Sequence, residues 1–156
     1  MKTRFGDVVE IETKKGLAYA LYTHRHVQRP VYGALIRIFD HLYLSRPENI
    51  SDVARNPVRF NTFFPLQAAV NRGLVKIIGN IPVPRGLEAF PMFRSGLIDR
   101  RTKKVANWSL WDGEKYFKVG KLSDEQRKLS TLGVCNDTFL INRIESGWRP
   151  ETDPFT

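Results

Sequence analysis

The sequence predicts an α+β protein: a strongly bent, mainly antiparallel sheet or partly closed barrel of about seven or eight strands, with two or three short helices. Three observations carry this. Extended apolar runs come in neighbouring pairs joined by tight turns, Lys14-Lys15-Gly16 and Asp112-Gly113, the pattern of antiparallel hairpins. Capped helix signals are few and mark only short segments. A central stretch, FNTFFPLQAAVNRGLVKIIG (60–79), reads as strand, short helix and strand in succession, with Arg72 and Lys76 its only charges. That stretch is expected to supply the centre of the core.

In order, Val8 to Thr13 alternates Val9, Ile11 and Thr13 with Glu10 and Glu12, the pattern of a half-buried strand. Leu17 to Thr23 returns, with Leu17, Tyr19 and Leu21 on one face and Ala18, Ala20 and Tyr22 on the other. His24 to Val31 is polar, basic and ends near Pro30, so it reads as a loop. Gly33 to Leu44 is a third extended run. Ser51-Asp52 caps at most one helical turn before Asn56-Pro57. Val58 to Phe64 is a strand, Pro65 opens a short helix over 66–72, Gly73 caps it, and Leu74 to Ile78 is the next strand. Asn80 to Pro91 holds four prolines or glycine breaks in a crossing loop (Pro82, Pro84, Gly86, Pro91) whose apolar residues should pack down. Met92 to Ile98, Val105 to Trp111 and Glu114 to Val119 form a meander, with a polar turn DRRTKK (99–104) and a type I′ turn at Asp112-Gly113. Ser123-Asp124-Glu125-Gln126 matches a capping box. A second helix runs from Asn136/Asp137 to Ser146, with Leu140, Ile144 and Trp148 on one face and Gly147 as its stop.

The 156 residues read as a single domain, with 149–156 expected as a flexible tail. One cysteine, Cys135, leaves no internal disulfide. No signal-peptide core and no apolar run of about 18 residues is present, so the expected location is cytoplasmic, with no membrane partner. The net charge of +9 is uneven: residues 1–87 hold 13 Lys/Arg against 6 Asp/Glu, residues 88–156 hold 12 against 10. A basic surface suits nucleic acid, an acidic protein or an anionic ligand, and it also serves solubility.

The segments GDVVEIETKKGLAYALY and AAVNRGLVKIIGN, and a proline-rich loop ending in FPMFRSG, resemble the immunity protein 26 family of bacterial polymorphic toxin systems, in that order along the chain. The resemblance covers roughly Phe5 to Gly96. It implies a non-enzymatic protein that binds a cognate toxin and blocks its active site or its access to a target. Immunity proteins against nucleases are usually acidic, whereas this chain is at +9. The resemblance therefore implies a toxin surface that is acidic or apolar, or a toxin that is not a nuclease. The rival reading is a nucleic-acid- or nucleotide-binding module with a small barrel-like sheet. An enzyme is the weakest of the three.

Candidate chemistry is sparse. His24 and His26 flank Arg25 at i, i+2, which would share a strand face, but no third ligand lies nearby and the arginine opposes a cation. His41 reads as a structural histidine in a strand. Cys135 has no nucleophile signature and reads as a buried small residue. No phosphate-binding glycine loop or His-Glu-x-x-His is found, so no cofactor is expected. The candidate partner-binding residues are basic and aromatic. Arg100, Arg101, Lys103 and Lys104 crown a hairpin whose next strand carries Trp108 and Trp111. Being three apart, those two tryptophans are expected on opposite faces, one of them in the core. A second basic group is Lys14, Lys15, Arg25, Arg29 and Arg37.

Overall fold

The computed structural model describes residues 1–155, and places eight strands in two antiparallel sheets that do not close into a barrel. The larger sheet runs, in spatial order, Val58–Phe64 (β4), Gly33–Phe39 (β3), Gly16–His26 (β2), Asp7–Thr13 (β1) and Lys76–Asn80 (β5). The smaller is the expected meander of Phe93–Ser95 (β6), Trp108–Trp111 (β7) and Tyr116–Gly120 (β8). The two α-helices are Leu66–Asn71 (α1) and Asp137–Glu145 (α2); a six-residue 3-10 segment follows Asn49 and one-turn 3-10 segments follow Pro84, Glu125 and Arg149.

The larger sheet is covered on both faces, which departs from the half-buried pattern expected of β1. One face carries Val9, Ile11, Ala18, Ala20, Ile36 and Ile38, and packs against α1 and α2 through Leu66, Ala69, Leu140 and Ile144. The opposite face carries Val8, Tyr19, Leu21 and Phe39 under Val53 and Ile81. Further along that second face, Leu35 and Phe63 meet Phe93 and Trp111 of the smaller sheet. Phe63 and Phe64 point to opposite faces, as strand neighbours must, and both are buried because each face has a cover. The central stretch is thus scaffold on both sides.

Glu10 shows what the second cover changes. It was expected on a wet face, yet it is buried, accepting from the Tyr19 hydroxyl at 2.7 Å and from Arg46 Nε and Nη2 at 2.8 and 3.0 Å. The Arg46 guanidinium holds the Glu10 carboxyl below its usual range against burial, while burial and the Glu10 carboxylate push the Tyr19 phenol up.

The two sheets are stitched by a segment that the sequence did not single out. Residues 130–135 run extended between β6 and β4. Arg94 N donates to Ser130 O at 2.9 Å and Leu132 N to Arg94 O at 2.8 Å. Phe63 N donates to Gly133 O at 3.3 Å, Cys135 N to Phe63 O at 2.9 Å, and Asn61 N to the Ser130 hydroxyl at 2.7 Å. The bridges are parallel, against the antiparallel grain of the rest.

Local signals mostly hold, with four corrections. Ser123 and Gln126 cap each other reciprocally (2.9 and 3.2 Å), but the helix they open is one 3-10 turn. Only Gly113 has positive φ (104°) in the connection closed by Asp112 N to Lys115 O, which excludes the type I′ turn, and Lys115 N donates to the Asp112 carboxylate instead. The third run leaves the sheet after Phe39, so His41 sits exposed in a loop, edge-on to Tyr43 at 4.4 Å, rather than in a strand. The expected tail is tied down through residue 153. Arg149 pairs with Asp40 at 2.7 Å, Pro150 O accepts from Arg94 at 2.7 Å, and Trp148 Nε1 donates to Asp153 at 3.1 Å.

Candidate functional site

The basic turn after β6 is built by one carboxylate. Asp99 Oδ1 accepts from Arg101 N at 2.7 Å and Thr102 N at 3.2 Å, and Asp99 N donates to Lys104 O at 2.8 Å. The chain then turns at Lys103, the one non-glycine residue with positive φ (60°) among the described residues. With the backbone held this way, Arg100, Arg101, Lys103 and Lys104 all stand exposed. No described cation between residues 96 and 121 lies within ion-pair distance of a carboxylate.

The tryptophans are not beside them as surface anchors. Trp111 packs in the core against Phe63, Phe90 and Phe93. Trp108 is buried as well, under the Arg94 guanidinium at 5.2 Å. The bulge beside Trp108 places its extra residue, Val119, on β8, so alternation along β7 holds and the two rings point to opposite faces as expected; both are buried because Arg94 covers the second face. In their place, the apolar groups facing solvent near the turn are Leu97 (91% exposed), Ile98 (47%), Tyr116 (53%) and Phe117 (45%). Sequence reasoning missed these four. A Lys-Tyr-Phe-Lys run on a free edge strand was the available signal, because it lacks the alternation of a half-buried strand.

The second basic group does not assemble. Lys14 and Lys15 form the β1–β2 hairpin tip, where Lys14 N donates to Glu145 of α2 at 2.6 Å. Arg25 is exposed beside Tyr22, Gln67 and Asn71. Arg29 lines a cleft with His26, Trp111 and Tyr116 instead. Arg37 is buried, and its role is internal. Its Nε donates to the Thr23 hydroxyl at 3.0 Å, and Nη2 to the carbonyls of Leu87 and Ala89 at 3.2 and 2.9 Å. Burial lowers this guanidinium to about 10, so it remains charged at neutral pH.

His24 belongs to the same internal set. Its Nδ1 meets the Thr23 hydroxyl at 2.8 Å and its Nε2 meets Glu88 O at 2.8 Å. The neutral ring with hydrogen on Nε2 satisfies both, donating to the carbonyl and accepting from the hydroxyl. Burial, opposed by the Glu88 carbonyl, lowers its pKa. Arg37 and His24 together pin the proline-rich loop onto β2 and β3 through three successive carbonyls. His26 packs on Trp111 at 5.0 Å and Tyr32 at 5.2 Å. So the two histidines face the same cover but serve separate contacts, and no group of three metal-capable side chains occurs among the described residues. Cys135 is buried, accepting from the Thr62 hydroxyl at 3.2 Å, with Arg143 Nη1 at 3.9 Å.

No helix among the described residues is long and apolar enough to cross a membrane. No protein-family model, curated protein or solved structure matches this chain.

Proposed function

We propose that this chain is a non-catalytic binding protein of the immunity type, which neutralises a cognate bacterial toxin in the cytoplasm by covering its surface. One observation carries the reading: every residue from Gly96 to Lys104 is exposed, in a turn whose shape is fixed by Asp99, so aliphatic side chains and unpaired cations are displayed together on a rigid support. Interfaces are enriched in such arginine and apolar anchors. The resemblance of the β1–β2 hairpin and of the 68–80 segment to the immunity protein 26 family supports the same reading. His24, Cys135 and Arg37 are engaged in holding the fold together.

The test is co-expression with the toxin domain encoded beside the gene, read as co-elution and as rescue of growth. The Arg101→Glu, Lys103→Glu variant should lose rescue with its melting temperature nearly unchanged, since both side chains are exposed. Rescue by this variant equal to the native chain would sink the placement. Failure of every neighbouring toxin to bind would sink the function. Nucleic-acid binding at low salt that collapses steeply as salt rises would favour the rival reading.

A further inference from the structure

Two depressions share Tyr116 as a common wall. The smaller, about 290 Å³, is lined by His26, Arg29, Pro30, Trp111 and Glu114. The larger, about 780 Å³, is lined by Ser95, Leu97, Ile98, Asn107, Ser109 and Lys118. Strand register explains why they lie side by side. Phe93 and Ser95 are two apart, as are Ser109 and Trp111, and Tyr116 and Lys118. Phe93 pairs with Trp111 and Trp111 with Tyr116, while Ser95 pairs with Ser109 and Ser109 with Lys118. All six therefore share one face of the smaller sheet. Its inner half is buried against Phe63, and its outer half is open.

We propose that this two-lobed groove receives an extended, acidic segment of a protein partner. Charge selects the sign. Residues 96–121 carry seven lysines and arginines against three carboxylates. Two of those carboxylates, Asp99 and Asp112, accept backbone hydrogen bonds within their own turns, at 2.7 Å each to the nearest donor. Shape selects an extended chain: β8 from Tyr116 to Gly120 offers about 13 Å of strand at about 3.3 Å per residue, and as the last strand of its sheet it has a free edge. Such an edge can add a strand from a partner. Apolar residues of the guest rest on Leu97 and Ile98. A polar side chain reaching the smaller lobe meets His26, which is 5% exposed and whose Nδ1 is buried without a hydrogen-bond partner. Protein is favoured over nucleic acid because Tyr116 and Phe117 are strand neighbours that face opposite ways, and Leu97 and Ile98 cannot stack on bases.

The identity of the partner as a toxin rests on the function proposed above; the groove does not. The test is fluorescence anisotropy with the full chain and three labelled probes: a short peptide alternating glutamate with leucine, the same peptide with lysine for glutamate, and a thymidine oligonucleotide. The acidic peptide should bind saturably and the lysine peptide should not. Lys118→Glu and Leu97→Ser should each weaken it about tenfold, and Lys15→Glu at the far hairpin tip should not. No saturable binding of the acidic peptide, or equal binding by the groove variants, overturns the proposal. So does an oligonucleotide that displaces the peptide and responds to the same substitutions. If a cognate toxin binds the native chain and the Leu97→Ser, Lys118→Glu chain equally, the groove is wrong and the toxin reading stands. If no toxin binds while the peptide does, the groove stands and the toxin reading is wrong.

Discussion

Arg94 is the side chain on which the junction of the two sheets most depends. It is fully buried on β6, and its Nη1 and Nη2 donate to Arg127 O at 2.8 Å and Pro150 O at 2.7 Å, with Nε reaching the Thr131 hydroxyl at 3.3 Å. Burial lowers this guanidinium, with the carboxylates of Asp153 and Glu151 opposing the shift. Arg94→Met keeps most of the volume and relieves the desolvation of the charge. Against that, it strands two carbonyls. Pro150 O is buried, and an unsatisfied buried acceptor costs about 1–3 kcal/mol, whereas Arg127 O is only partly buried and water meets some of its need. A net loss of about 2–3 kcal/mol follows, or roughly 5–10 °C in melting temperature for a chain of this length. Arg94→Lys keeps a charge but loses the planar fork and the stacking on Trp108, so it should fall between. Urea unfolding followed by tryptophan fluorescence gives all three midpoints. The reasoning is refuted if the Met variant matches the native chain, or if Lys is worse than Met, because desolvation would then outweigh the acceptors.

Three further outcomes follow from geometry already described. Glu10 has a depressed pKa, so its contribution is present above the unfolded value of about 4.3 and is lost as pH falls through the lower folded value. Glu10→Gln should therefore cost about 1–2 kcal/mol at neutral pH and flatten the acid limb of the urea midpoint against pH; an unchanged acid limb would count against it. His24 is also depressed, so its docking is complete above about pH 6.5 and weakens as pH falls below that. Amide exchange in the 81–92 loop should accelerate on acidification beyond the intrinsic rate, and His24→Gln should remove that dependence; equal pH response in both chains would refute the pinning role. Gly6 has φ of 90°, and a side-chain Cβ there would run into the Ile81 carbonyl. Gly6→Ala should lose more than about 2 kcal/mol, whereas Gly33→Ala, also at positive φ but facing open space, should lose only about 1. Equal thermal shifts would show that the close approach contributes nothing.

The central stretch was legible because its signals are local. Pro65 precedes α1, and Gly73 ends it at φ of 72°. What failed was whatever depends on a distant cover. Glu10 looks like a solvent residue until Arg46, 36 positions away, is folded over it. The His24 contact to Glu88 spans 64 residues, and no periodicity reports it. The 130–135 stitch is too short to form a strand by itself and pairs in parallel, so neither hairpin turns nor alternation mark it. The candidate site was half legible. DRRTKK announced an exposed basic turn and the spacing of Trp108 and Trp111 their opposite faces, but the Arg94 cover that buries Trp108 as well has no sequence signature here, and the exposed Leu97 looked like strand filling.

The charge of +9 separates into two physical origins. Arg37, Arg59 and Arg94 hydrogen-bond backbone carbonyls, and Arg143 lies over the Trp148 ring at 3.7 Å. Arg59 closes the C-terminal end of α2, donating to Arg143 O at 3.0 Å and Ile144 O at 3.3 Å, where the helix dipole favours a cation. An arginine satisfied by carbonyls raises net charge, since no carboxylate is recruited to balance it. Part of the basic excess is therefore a by-product of how the loops and the helix end are fastened. Of the remainder, the densest part is local, in the turn and edge of the smaller sheet, where residues 96–121 hold seven cations against three carboxylates. With a screening length of about 8 Å at physiological salt, that cluster acts only on what comes within its immediate reach. Net charge alone thus overstates the case for a long polyanion. A partner that presents a few carboxylates on an apolar ridge matches the distribution better, because it needs charge at one place only.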